Sequence, residues 1–487
     1  MTHTLHILNT GQVLQSNTGA CLLTLLQDHG LAPDAPCGGH GTCGKCRCLV
    51  DGTEQLACKT VIDRDMTVSL PEKTADTILT DALSVASEAD GTHDYVLAFD
   101  IGTTTVVCYL LSGITGALLS QASRINPQAQ FGADVIARIQ YAMSAEGHPL
   151  RDSITDALHA LTREAAARAG IAPEQITLAS IVGNTAMHHL LLGIDPRPLT
   201  VPPYMPAVRE ALVLPAASLL PIHPEGQVRI LPNIAGFVGA DTVGCMVATR
   251  FDQVKELTLM IDIGTNGEMV LGDGQQRIAC STAAGPAFEG AKIQCGMRGA
   301  DGAVDHVTLK NEELSFSVIG SRKAAGLCGS GLLDLVSVLL AQGEISESGH
   351  MPCKTFTLPG TDVFLTQKDV REVQLAKAAI RAGIELMCKT LGVRPEDIRQ
   401  VLLAGAFGNY LDPASACAIG MIPPCLLDRI TPIGNAAGEG ARLCALSEAE
   451  YTYSQTLARS TRFLELASLP DFNDCYVDCL TFEEEEE

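Results

Sequence analysis

The chain runs to 487 residues, 46% of them hydrophobic and 18% charged, with a formal net charge of −23. The length suits about three domains at ~150 residues each; the acidity argues against a nucleic-acid partner, which needs a basic footprint; and no run reaches the ~18 apolar residues of a membrane helix. The 18 cysteines are spread through every region, which fits reduced thiols in an oxygen-poor cytoplasm better than a disulfide scaffold of this size.

In chain order, residues 4–8 and 12–15 read as a hairpin around Asn9-Thr10-Gly11. Leu22, Leu23, Leu25 and Leu26 follow at helical spacing in a segment closed by Gly30. Next comes the frame Cys37-Gly-Gly-His-Gly-Thr-Cys43-Gly-Lys-Cys46, with Cys58 beyond a strand-like stretch at 47–50. Three thiolates in one loop and a fourth from elsewhere can wrap a [2Fe–2S] rhombus, with backbone N–H groups bonding the sulfurs. Gly38, Gly39, Gly41 and Gly44 let the chain turn that tightly. A structural zinc site is the competing assignment, but zinc usually takes paired C-x-x-C or Cys/His ligands, and only Cys43/Cys46 is such a pair. His40 does not make this a Rieske centre, which needs two histidines. With a last strand at 66–70, hairpin, helix, loop and strands resemble the β-grasp fold of [2Fe–2S] ferredoxins, placed at 1–73. Residues 74–94 read as a linker.

At Tyr95 the texture changes. An apolar strand at 95–99 enters Asp100-Ile101-Gly102-Thr103-Thr104-Thr105, and another at 257–261 enters Asp262-Ile263-Gly264-Thr265-Asn266-Gly267-Glu268. Two strand–D-I-G-T units so far apart indicate a duplicated domain, with lobes at 95–255 and 256–450 and a C-terminal segment with an acidic tail at 451–487. In such a turn the glycine lets backbone approach a phosphate, N–H and threonine O–H groups donate to its oxygens, and the aspartate holds Mg²⁺ through water. Two further turns complete the set. The strand 400–403 leads into Ala404-Gly405-Ala406-Phe407-Gly408, where Gly405 and Gly408 suit a purine. Gly329 and Ser330 open a helix whose N-terminus suits a ribose or phosphate. This order resembles the actin/Hsp70/sugar-kinase superfamily. That likeness implies two RNase H-like lobes closing on ATP, and an α+β chain overall.

Taken together, Pro36-Cys37-Gly38-Gly39, Cys43-Gly44-Lys45-Cys46, Leu56-Ala57-Cys58, both D-I-G-T turns, Asn126-Pro127-Gln128, Phe131-Gly132-Ala133-Asp134-Val135, Val182-Gly183-Asn184-Thr185, Ala284-Gly285-Pro286-Ala287-Phe288-Glu289-Gly290 and Leu402-Leu403-Ala404-Gly405 resemble one family over nearly the whole chain. That family is the ATP-dependent reductive activators of corrinoid proteins. The resemblance implies one-electron transfer from a [2Fe–2S] cluster on Cys37, Cys43, Cys46 and Cys58 to Co(II), giving Co(I), coupled to ATP hydrolysis. It implies Mg²⁺ and the attacking water at Asp100 and Asp262, phosphates on Thr103, Thr104, Thr105, Thr265, Asn266 and Gly267, and water positioning by Asn184, Thr185 or Glu268. Implied partners are a corrinoid protein of a methyltransferase system and an upstream low-potential donor; a homodimer is compatible. The chain departs from familiar members in having only a linker before the first lobe, and only Cys475 and Cys479 near its end. The alternatives are an ATP-driven donor to another low-potential metalloprotein and a small-molecule kinase with a redox-sensing ferredoxin domain.

Overall fold

The computed structural model describes residues 2–29, 31–33, 35, 39, 41, 46–71, 89–144, 148–310 and 313–482. Cys37, Gly38, Cys43 and Gly44 of the expected cluster loop, most of the expected linker and residues 483–487 lie outside them.

Leu5, Ile7 and Leu14 are buried while His6, Val13 and Gln15 between and beside them are exposed, so Thr2–Ile7 (β1) and Gln12–Asn17 (β2) pair antiparallel with one face buried. Helix Leu22–Asp28 (α1) lays its leucines on that face. Arg47–Val50 (β3), Thr53–Leu56 (β4) and Met66–Ser69 (β5) complete a mixed sheet in the order β2-β1-β5-β3-β4.

Tyr95–Ile101 (β6), Thr105–Ser112 (β7) and Leu118–Ile125 (β8) form an antiparallel meander. The expected strand at 95–99 thus runs two residues further and carries Asp100 within it. Val135–Ser144 (α2) and Pro149–Ala169 (α3) follow. The latter opens on a proline and ends at Gly170 in the left-handed conformation, the usual sequence of helix punctuation. Ile176–Gly183 (β9) pairs parallel to β6 and leads into Thr185–Leu192 (α4). Leu212–Pro215 (β10) and Gln227–Ile230 (β11) extend the sheet, and Ala240–Thr249 (α5) leaves it. The order is β10-β11-β9-β6-β7-β8.

The second half follows the same course. Thr258–Ile263 (β12), Gly267–Gly272 (β13) and Arg277–Thr282 (β14) form a meander. Ala303–Lys310 (β15), Glu313–Val318 (β16) and Gly326–Leu327 (β17) make a small sheet leading into Gly329–Ala341 (α6). Thr355–Thr357 (β18) and Phe364–Thr366 (β19) pair before Gln367–Leu391 (α7), which is held at its start by a reciprocal Thr366–Asp369 cap. Gln400–Ala404 (β20) lies parallel to β12. It is followed by Gly405–Tyr410 (α8), Pro413–Ala418 (α9), Ile430–Gly434 (β21) and Ala436–Leu446 (α10). Glu448–Ser460 (α11), Arg462–Phe463 (β22) and Phe472–Asp478 (α12) close the described chain. The sheet order is β21-β20-β12-β13-β14-β22, so strands one, two, three and four of each half keep the same neighbours and the same sense. Position 450, where the sequence suggested a boundary, falls inside α11, and β22 pairs with β14.

The two sheets share one core. Val96, Ala98, Val107 and Tyr109 of the first and Met260, Val270, Ala279 and Leu402 of the second join a single buried cluster through α5 and α10. These helices touch at glycines: a Cβ on Gly440 would stand 2.1 Å from the carbonyl oxygen of Gly244. Further cores fill the outer faces, against α3 on the first sheet and α6 and α7 on the second.

Candidate active site: a cleft between two aspartate turns

The turns after β6 and β12 face each other across a cleft of about 210 Å³. Each closes on itself: Gly102 N–H donates to Thr105 O at 2.9 Å, and Gly264 N–H to Asn266 O at 2.9 Å. Of the residues expected to hold nucleotide, the cleft is lined by Asp100, Gly102, Thr103, Thr104, Thr105, Asn184, Asp262, Gly264, Thr265, Asn266, Glu268 and Gly405. Asn184 caps α4 through Met187 N–H, and its Nδ2 donates to Thr103 Oγ1 at 2.9 Å, tying β9 to the first turn.

Five expected residues are not among those lining the cleft. The Thr185 hydroxyl donates to Ala235 O at 2.7 Å and is buried. Ser330 donates to Asp305 O at 2.7 Å. Gly329 sits against Phe288 O and the Phe407 ring, Gly408 packs on Leu403, and Gly267 lies under Thr282. Gly329 and Gly267 are glycines because other atoms occupy the Cβ position. His188 and His189 also serve the interior: Asn233 bonds His188 Nδ1 at 2.6 Å, and His189 donates from Nδ1 to Thr185 O and accepts Ala207 N–H.

Several cleft residues escaped sequence reasoning. Asp241, at the start of α5, completes a recessed group of four acids with Asp100, Asp262 and Glu268. Asn435, which caps α10 by accepting Gly438 N–H, and Ala437 in the first turn of α10 come from the junction of β21 and α10. Phe288 and Phe407 stack with centroids 5.0 Å apart beside Gly405. Glu289, the last residue but one of the Ala284–Gly290 run, also lines the cleft with the two threonine turns.

Removal from bulk water, aided by the charge of Asp241, pushes Asp100 and Asp262 up to about 7. Burial likewise takes Asp241 to about 6 and lifts Glu268 well above the carboxylate range. Asp262 and Glu268 stand directly opposite each other on β12 and β13. Like charges so placed destabilise a strand pair unless something neutralises them. Among the described residues no three acids, histidines or cysteines stand close enough together to hold a metal ion directly, so four acids with no basic side chain among the residues lining the cleft fit a hard divalent cation only through its water shell.

Behind the first turn, the buried Arg138 donates from its guanidinium to Thr103 O at 2.6 Å and Gly132 O at 2.9 Å. Asn126 holds Gly102 O and Thr104 O. The Asn126–Arg138 stretch therefore grips the turn by its carbonyls. The same stretch meets the N-terminal sheet, where Gln27 Nε2 donates to Gln130 O.

In the N-terminal unit, Ala57 N–H donates to Cys46 O at 2.8 Å, which bonds the residue before Cys58 to Cys46. Cys46 is buried and Cys58 half-buried. Neighbouring Cys48 turns inward, donates toward Gln55 O, and is pushed by burial up to about 11.

Two mixed sheets of matched order, an acid-lined cleft between them and paired D-I-G-T turns define an ATP-binding fold of the actin/Hsp70/sugar-kinase class. Residues 256–487 match the family model described as the C-terminal domain of RACo, the ASKHA domain, and residues 95–254 match the RACo middle region. The chain belongs to this family of corrinoid reductive activators. It is 38% identical over 415 residues to the corrinoid activation enzyme RamQ of Eubacterium limosum, a match covering 79% of this chain and 69% of RamQ. It is 28% identical over 300 residues to the [Co(II) methylated amine-specific corrinoid protein] reductase of Methanosarcina barkeri, covering 56% of this chain and 55% of that one. Among solved structures, the reductive activator for corrinoid, iron–sulfur protein superposes with a TM-score of 0.73 at 26% identity, covering 99% of this chain and 98% of that one.

Proposed function

We propose that this protein uses ATP to drive one electron from a [2Fe–2S] cluster onto the Co(II) of a corrinoid protein, returning it to Co(I). The observation that carries the reading is the pair of aspartate turns facing each other over four recessed acids, in a chain whose N-terminal sheet bonds Ala57, the residue before Cys58, to Cys46. The matched strand order of the two halves supports a duplicated RNase H-like ATPase, and the five-stranded sheet crossed by α1 supports a β-grasp ferredoxin unit.

In the cleft, Asp100, Asp241, Asp262 and Glu268 would hold Mg²⁺, mainly through its water shell. Backbone N–H groups of the two turns approach the phosphates because Gly102 and Gly264 put no side chain in the way. The Phe288–Phe407 pair and Gly405 offer a surface for the purine. In the N-terminal unit, Cys37, Cys43, Cys46 and Cys58 would hold the cluster; the backbone bond from Ala57, next to Cys58, to Cys46 O supports a shared site for two of them. The cluster supplies an electron at low potential. Cys48, turned inward and pushed to about 11, serves the core. Closure of the lobes on ATP can favour the partner complex only if nucleotide binds the closed form more tightly. The upstream donor is a low-potential one-electron reductant, and a homodimer is the assembly to look for.

The test is anaerobic. Cluster-replete protein, a low-potential reductant and a panel of Co(II) corrinoid proteins are mixed, and corrinoid absorbance is followed with and without MgATP. An ATP-dependent shift to the Co(I) spectrum is the expected result. Full cluster reduction and ATP hydrolysis with no such shift for any corrinoid protein would send the electron elsewhere and sink the reading.

A further inference from the structure

Glu289 spans the cleft. Its Oε2 accepts the Thr104 hydroxyl of the first turn at 2.8 Å, and its Oε1 accepts the Thr265 hydroxyl of the second at 2.7 Å. A threonine hydroxyl has one proton. While Thr104 and Thr265 donate to Glu289, neither donates to a phosphate, the task sequence reasoning gave them. The two hydroxyls act instead as clamps that set one carboxylate on the midline between the turns.

The loop that carries Glu289 is itself braced. Glu289 N–H and Ala291 N–H both donate to Pro286 O, Phe288 is buried against Phe407, and a Cβ on Gly290 would stand 2.5 Å from Met297 O. Glu289 also stands apart from the acids that would hold the cation. Asp241 raises Asp100, Asp262 and Glu268 by its charge, and Glu289 is not among the leading charges acting on them. It is the foremost charge acting on Arg138, the guanidinium under Thr103. Each carboxylate oxygen keeps a lone pair beyond the one a threonine takes, and Glu289 lines the cleft.

We propose that Glu289 is the catalytic residue that orients the attacking water of ATP hydrolysis, with Thr104 and Thr265 as its positioning residues. This rests on the ATPase reading above. The water oxygen bonds to the γ-phosphorus as the bond from that phosphorus to the bridging oxygen breaks. ADP leaves with the bonding pair, and the water's proton passes to Glu289 and then to the released phosphate. Positioning dominates such reactions, and a carboxylate held from both lobes is in place only when the two turns have their closed spacing.

The experiment is steady-state ATP hydrolysis by the anaerobic holoprotein for wild type, Glu289→Gln, Glu289→Ala and Thr265→Val, with AMPPNP binding measured by calorimetry. Glu289→Gln should lower kcat by about 100-fold or more, the range for losing a positioned acid–base group. KM and AMPPNP affinity should stay within about threefold, the size of an uninvolved contact. Added formate should restore part of the Glu289→Ala rate by supplying a carboxylate. Thr265→Val should show a smaller kcat loss of about tenfold, as expected of an indirect role. A Glu289→Gln protein that binds AMPPNP and keeps its kcat would overturn the proposal. So would a kcat loss that formate does not relieve and that tracks lost AMPPNP binding. A wild-type protein without ATPase activity would instead overturn the reading on which it rests, and this inference with it.

Discussion

A Cβ built on Gly405 would stand 2.4 Å from Oδ1 of Asp262. The two residues sit at the ends of neighbouring parallel strands, where Asp262 pairs with Ala404. Gly405 also has φ +85°, in the left-handed region. The turn on the purine side thus passes directly over the acid of the second phosphate turn, and one glycine makes both positions compatible.

Gly405→Ala should therefore damage the cleft twice. The left-handed backbone alone costs a non-glycine residue about 1–2 kcal/mol, and the new methyl group must push Asp262 aside. Thermal denaturation should show a lowered midpoint, and MgATP hydrolysis should be lost. An alanine variant with wild-type ATPase would show that Asp262 tolerates displacement.

Asp262→Ala should remove ATPase activity while the visible spectrum of the iron–sulfur protein stays as in wild type. It also removes a buried carboxyl group that stands directly opposite Glu268 on β13 and whose ionised form burial disfavours. The nucleotide-free variant should then unfold at a temperature equal to or above that of wild type near pH 7.5, and should gain less stability from added Mg²⁺. An equal Mg²⁺ response in both proteins would exclude Asp262 from the cation site.

Cys58→Ser and Cys48→Ser should separate ligand from core thiol. Cys58 follows Ala57, whose N–H donates to Cys46 O, whereas Cys48 is buried on β3 and donates toward Gln55 O. Absorption and electron paramagnetic resonance spectra of the reconstituted proteins should show loss of the native cluster in the first and its retention in the second. The reverse result would exchange their roles.

His188 supplies a pH dependence of stability. Its ring is buried, its Nδ1 is bonded by Asn233, and burial, aided by the charge of His189, takes it down to about 4. Because the folded value lies below the ordinary 6.5, the unfolded chain binds the proton first as pH falls. Stability from the neutral ring is complete above pH 6.5 and is lost as pH drops toward 4, by about 3 kcal/mol in all. Comparison with His188→Gln over this range should show a shallower decline in the variant. Parallel denaturation curves would show that the ring is already accessible in the native state.

The chemistry-bearing turns were legible in the order of residues, because each combines a local strand pattern with a local turn. Asp100 and Asp262 follow apolar runs and precede glycines, and such a signal survives without partners. The helices Pro149–Ala169 and Gln367–Leu391 likewise show in the order of residues, as end signals and periodic apolar positions. The cysteine spacing also speaks locally, although Cys37 and Cys43 lie outside the described residues.

What tertiary structure alone decided is which side chains share the cleft. Asp241 enters it because Gly239 lets the start of α5 approach Asn184, where a Cβ would stand 2.5 Å from Asn184 Cα. Asn435 arrives from a strand 335 positions after Asp100 because α10 packs between the two sheets. Thr185 and Ser330 looked available, yet their hydroxyls are used on buried carbonyls, which would otherwise lack a partner. Glu289 gains its place only when both lobes present a threonine to it. A strand, a turn or a cap is specified by neighbours in sequence. A carboxylate's partners are specified by packing across hundreds of residues, where a glycine's missing methyl group decides what can approach.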